Sequence, residues 1–83
     1  LGCAQYLMHR TGHNIGHRCH GIGANLDDYE THDDRCLLPS TMFSIEPGLY
    51  TDKYGVRLEY DVHITSEGET KVYGPVQDEI LVI

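Results

Sequence analysis

The sequence predicts a mostly antiparallel β chain with long irregular loops and little helix, and three observations carry that prediction. Alternation of period two runs through VRLEYDVHIT, with Val56, Leu58, Tyr60, Val62 and Ile64 on one face and Arg57, Glu59, Asp61 and His63 on the other. Glycines at 12, 16, 21 and 23 break any helical reading of the histidine-rich stretch RTGHNIGHRCHGIG, each costing about 1 kcal/mol in a helix interior. Turn-forming clusters, LLPST and TSEGET, stand beside the alternating segments. Eighty-three residues make one domain at most, or a piece of one. A chain of that length buries little more than about 60% of its unfolded surface, so its core is modest.

Taken in order, YLMHR (residues 6–10) is a short apolar run that fits a strand or the tail of a helix. From Thr11 to Asn25 the glycines impose irregular backbone, so His13 and His17, four apart, do not form a helical metal-binding pair. LDDYETHDDRC (residues 26–36) is a polar, acidic connection, and Pro39 in LLPST occupies a favoured turn position. In MFSIEPGLY, Phe43 and Ile45 face one side while Ser44 and Glu46 face the other. Pro47-Gly48 interrupts that run as a strand end or bulge. A strand over 56–65 follows, then the turn at Ser66, Glu67 and Gly68, then KVYG and EILVI as further short strands. Glu46 and Glu59 each lie opposite their strand's apolar face. Both carboxylates therefore belong to the polar face of the sheet.

Charge is unevenly divided. Residues 1–26 carry Arg10, Arg18 and no acid, whereas residues 27–83 hold all thirteen acids against four bases; the net charge is −7. With no basic stripe, binding to a phosphate backbone is excluded as an expectation. Cys3, Cys19 and Cys36 are odd in number and lack CxxC spacing, which argues against a disulfide framework and fits a reducing, cytoplasmic setting. No apolar run approaches a membrane span, and no leader pattern is present. The start at LGCAQYL, without Met, implies a chain beginning partway through a longer protein.

Singly, the polar residues have ordinary explanations: a polar strand face is usually solvated, and a Glu beside Pro-Gly is usually a surface residue. His13 and His20 are harder to set aside, since two neutral imidazoles on a glycine-rich loop are suited to bind metal or polarise a carbonyl. Together, TGHNIG followed by His20, then FSIEPGLY, then GVRLEYDV, resemble the pita-bread metallopeptidases: methionine aminopeptidase, prolidase and aminopeptidase P. The resemblance covers about residues 6–83 in the family's order, and is most like the bacterial Xaa-Pro dipeptidases or Xaa-Pro aminopeptidases.

The resemblance implies an α+β pita-bread (creatinase/aminopeptidase) fold, of which residues 1–83 would be the C-terminal portion of the catalytic domain, mainly its curved antiparallel sheet. It implies a metal-dependent exopeptidase that cleaves Xaa-Pro dipeptides or N-terminal Xaa-Pro bonds of a peptide substrate by attack of a metal-bridging hydroxide. Two divalent ions (Mn, Co, Zn or Fe) would be held by His13, Glu46 and Glu59 together with two upstream aspartates. No acid precedes Asp27, so those aspartates are absent here. Asp27, Asp28, Asp33 and Asp34 follow the histidines in the wrong order to replace them. Glu46 would also carry the proton, His20 and His9 would stand near the substrate, and Arg57 would orient the carboxylates. Three departures bear on substrate preference: Asn14 for the usual Gly, tolerable in a left-handed conformation; Gly21 after His20; and Tyr60 after Glu59. The isolated chain is expected to be inactive and to self-associate, most simply as a homodimer. A catalytically inactive binding protein of the same fold is the alternative, disfavoured by intact His13, Glu46 and Glu59. A histidine-rich zinc module would explain His13, His17 and His20 but not SIEPG or VRLEY. No role follows for His17, His32, His63 or the cysteines.

Overall fold

A computed structural model describes residues 2–80, 82 and 83. A single 3-10 turn, Ala4–Tyr6, precedes six short strands: β1 (Asn14–Ile15), β2 (Thr41–Ile45), β3 (Gly48–Tyr50), β4 (Gly55–Arg57), β5 (Tyr60–Ile64) and β6 (Thr70–Tyr73). The first sheet has the order β1-β2-β5-β6 and the second pairs β3 with β4; every pairing is antiparallel. Among the described residues no helix is long and apolar enough to cross a membrane.

The expected single strand over 56–65 is divided at Leu58 and Glu59. Its register, however, is unbroken. Ile45 lies opposite Tyr60 and Gly48 opposite Arg57, so two residues on each side are skipped and the ladder resumes in phase. Residues 41–64 are thus one long hairpin closed by a turn at Asp52-Lys53, where Thr51 N–H donates to the Tyr54 carbonyl at 2.8 Å. The ladder is interrupted where Pro47, lacking an N–H, cannot pair. Counting through the gap places Glu46 opposite Glu59 and Pro47 opposite Leu58.

The alternation sorts the two faces as expected. Phe43, Val62 and Val72 line up across β2, β5 and β6, and Ser44, Asp61 and Tyr73 line up on the other face. Among the described residues, Phe43 and Val62 are the buried apolar side chains; burying each contributes about 1.5–3 kcal/mol. Val72 on the same face remains exposed, because nothing among the described residues covers it.

The turns follow their local chemistry. Pro39-Ser40 leads into β2 with Ser40 at φ 62°, and Gly68 at φ 84° closes the β5–β6 hairpin. Asn14 does not adopt the left-handed conformation expected of a glycine substitute: among the described residues only Ser40 is a non-glycine with positive φ. Asn14 is instead extended and buried. Its Oδ1 accepts from Gly23 N–H at 3.1 Å and its Nδ2 donates to the Met42 carbonyl at 3.1 Å, stapling the glycine-rich loop to β2. Of the strand expected in EILVI, the described residues Glu79, Ile80, Val82 and Ile83 are irregular, and residue 81 lies outside the described residues.

Candidate metal centre

His13 reaches the site because the chain before it packs hard against β2. The Gly12 backbone lies so close to the Ser44 carbonyl that an added Cβ would stand 1.9 Å from its oxygen, so only glycine fits. Glu46 N–H donates to the Thr11 carbonyl at 2.7 Å and Ser44 N–H to the His13 carbonyl at 2.9 Å. These bonds extend the pairing of β1 with β2 past the strand's formal start. His13 therefore falls on the polar face beside Ser44.

There the side chains converge. His13 is 5% exposed and Ser44 is 0% exposed. The Ser44 hydroxyl accepts from His13 N–H at 3.0 Å and donates to Glu46 Oε1 at 3.1 Å. His13 Nδ1 is 3.1 Å from the Asn14 carbonyl; a carbonyl only accepts, so Nδ1 carries the proton. That leaves Nε2 with its lone pair aimed at Glu46 Oε1, 3.0 Å away. Arg57 Nη1 approaches the other carboxylate oxygen, Oε2, at 3.5 Å. The His20 ring lies 4.3 Å from that of His13, centroid to centroid.

The remaining predicted residues stand apart from this cluster. His9 packs over Gly48 beside Tyr50: its Nδ1–H donates to the Arg10 carbonyl at 2.7 Å, and Tyr50 O–H donates to its Nε2 at 2.9 Å. Glu59 is exposed in the link between β4 and β5, and register alone sets it opposite Glu46. Three acids of the acidic connection are engaged elsewhere. Asp27 accepts the N–H groups of Tyr29, Glu30 and Thr31 and the Thr31 hydroxyl; Asp28 pairs with His32 and Asp33 with Arg35, both at 2.7 Å.

Ser44, Tyr50 and Asp27 escaped the reading of the sequence. Ser44 was the most legible, since period two already sets it on the face of Glu46 between two apolar neighbours. Tyr50 reaches His9 across forty-one positions, a contact with no local signal.

The donor set fits a divalent ion. Two donors each about 2.1 Å from one ion and at right angles lie about 3 Å apart, the separation found between His13 Nε2 and Glu46 Oε1. Two carboxylates at facing positions also repel unless a cation lies between them. One imidazole with carboxylates suits several divalent ions without selecting one.

Residues 1–66 match Metallopeptidase family M24. The chain belongs to that family, and its sheet is part of the pita-bread fold. It is 38% identical over 73 residues to the "Probable dipeptidase PepE" of Mycobacterium tuberculosis, a match covering 86% of this chain and 18% of that protein. Among solved structures it is similar to dipeptidase PepE from Mycobacterium ulcerans, with TM-score 0.78 and 31% identity over 96% of this chain and 20% of the other. The Xaa-Pro dipeptidase from Bacillus anthracis has TM-score 0.77 and 32% identity, over 99% of this chain and 22% of that one. The chain thus spans about a fifth of the length of the proteins it matches.

Proposed function

We propose that residues 1–83 are the C-terminal portion of the catalytic domain of a metal-dependent exopeptidase, acting on Xaa-Pro dipeptides or on N-terminal Xaa-Pro bonds. The observation that carries this reading is the buried His13 Nε2 held 3.0 Å from Glu46 Oε1, with Glu59 opposite Glu46 in register. The names of the related proteins, dipeptidase and Xaa-Pro dipeptidase, support the substrate class. His13, Glu46 and Glu59 would hold two divalent ions together with aspartates from the rest of the protein. When bound, such ions activate water and polarise the amide carbonyl.

This chain's own residues do the rest. The Glu46 carboxylate, steadied by Ser44 and Arg57, takes a proton from the attacking water and returns it to the leaving nitrogen. His20, exposed beside His13, donates a hydrogen bond to the substrate carbonyl as its oxygen gains charge. His9, held by Tyr50 over Gly48, lines the approach for the substrate. The free cysteines fit a reducing, cytoplasmic setting.

Glu46→Gln in the full-length protein tests the reading. Turnover of Xaa-Pro dipeptides should fall by about 10²–10⁴-fold, the usual loss when an acid–base group is removed. A kcat close to wild type would refute the role given to Glu46. Absence of turnover in the wild type, with divalent metal bound, would favour the inactive binding protein.

A further inference from the structure

We infer that Cys19, His20 and His13 form a second metal site, one that takes a soft divalent ion such as zinc or cadmium. The ligand atoms of these three residues all lie within 4.8 Å of one another. It is the one group of three such donors so closely placed among the described residues. Cys19 has no part in the peptidase reading, and its thiol is free and exposed.

The backbone explains why Cys19 and His20 face His13. Between Gly16 and Gly21 the chain closes on itself. Gly16 N–H donates to the Arg18 carbonyl at 3.1 Å, and Gly21 N–H donates to the Asn14 carbonyl at 2.8 Å. An added Cβ on Gly16 would stand 3.5 Å from the Gly21 Cα, so the loop's two ends are in contact. This closure folds Cys19-His20 back onto His13. The Asn14 carbonyl also receives His13 Nδ1–H, so one backbone oxygen pins both the loop and the imidazole that anchors it.

Donors around a tetrahedral zinc ion sit about 3.3–3.6 Å apart, from bond lengths of about 2.3 Å to sulfur and 2.0–2.1 Å to nitrogen. The remaining contraction falls on Cys19 and His20, which are exposed on the loop and free to move, while buried His13 stays fixed. Binding replaces the thiol proton with the ion and releases that proton to solvent. A thiolate with two imidazoles selects zinc or cadmium over manganese, magnesium or calcium, which prefer oxygen donors. Solvent completes the fourth position.

The two sets share His13, whose Nε2 is the nitrogen left available by the Asn14 bond. A soft ion held by Cys19 therefore draws that nitrogen from Glu46. On the peptidase reading above, occupancy would inhibit the enzyme; the site itself does not depend on that reading.

The test is a cadmium titration of the reduced, metal-free protein, followed by the ultraviolet charge-transfer band of a cadmium–thiolate bond. Wild type should show the band, saturating at one ion. Cys19→Ser should lose it, whereas a variant with Cys3→Ser and Cys36→Ser should keep it. His20→Ala should weaken cadmium binding by at least about 10–100-fold, the loss that even an outer partner's removal causes. Cys19 is exposed, so the serine variant should retain the wild-type circular dichroism spectrum. A band that persists in Cys19→Ser, or none in folded wild type, overturns the site. Loss of peptidase activity in Glu46→Gln alongside an absent band would remove the soft-ion site alone and leave the peptidase reading standing.

Discussion

Ser44 stands between Phe43 and Ile45 on β2 with its hydroxyl wholly out of solvent, accepting from His13 N–H and donating to Glu46. It fixes the backbone of one proposed ligand and the carboxylate of another through a single oxygen. Ser44→Ala would leave a buried N–H without its acceptor, at a cost of about 1–3 kcal/mol. The same change frees Glu46 Oε1, so divalent-metal affinity should fall by about 10–100-fold, as when an outer partner of a ligand is lost. Urea denaturation and calorimetric metal titration would measure the two effects, and both near wild type would mean that the hydroxyl holds nothing. Arg57, half exposed and 3.5 Å from Glu46, is a weaker support: an exposed ion pair contributes about 0–1 kcal/mol.

Between elements, two devices position the proposed site: the gap in the long hairpin at Pro47, and the loop ordered by Asp27. The gap removes ladder bonds at the positions where register sets Glu46 opposite Glu59. Asp27 organises the acidic connection that carries Leu26, which pairs with Gly12 just before His13. Burial raises the Asp27 pKa, but the amides of Tyr29 and Glu30, together with the hydroxyl and amide of Thr31, outweigh it and hold the group below its ordinary 3.8. A folded value below the unfolded one stabilises the fold fully above pH 3.8, and the contribution is lost as pH falls through the lowered value. Acid unfolding should therefore begin below that pH. Asp27→Asn should be less stable at neutral pH and show a shallower acid decline; parallel curves for the two proteins would dismiss the linkage. Asp33 adds to the same trend, since Arg35 holds its carboxyl lower still.

At the scale of the whole molecule, surface is in excess. A compact monomer of 9.4 kDa exposes roughly 5,000 Å² by the usual scaling, whereas this chain exposes 6706 Å². Its radius of gyration is 14.2 Å, against about 12 Å for a compact chain of this length. Val56, Leu58, Val72, Ile80 and Val82 are exposed, and β6 is an edge strand whose residues are all exposed. Uncovered apolar residues beside an open edge favour pairing with another chain. The isolated 83-residue chain should therefore self-associate, most simply as a two-fold dimer. Light scattering across a dilution series would show it, and a monodisperse monomer at all concentrations would contradict it.

The sequence by itself determined the period-two strands, the turns at Pro39-Ser40 and Gly68, and the separation of Phe43 and Val62 from Ser44 and Glu46. All of these depend on neighbours a few residues apart, because alternation and turn preference are local. The resemblance of TGHNIG, FSIEPGLY and GVRLEYDV added the family, which the family match over residues 1–66 bears out. Only the tertiary structure decided the remainder. It showed that residues 41–64 form one interrupted hairpin, which divides the expected 56–65 strand, and that the described residues of EILVI are irregular. It also showed that Asn14 works as an extended staple, that Tyr50 holds His9, and that Cys19 returns to His13. Each depends on which distant segment fills the space beside a residue, and packing between segments leaves no periodic mark on the chain.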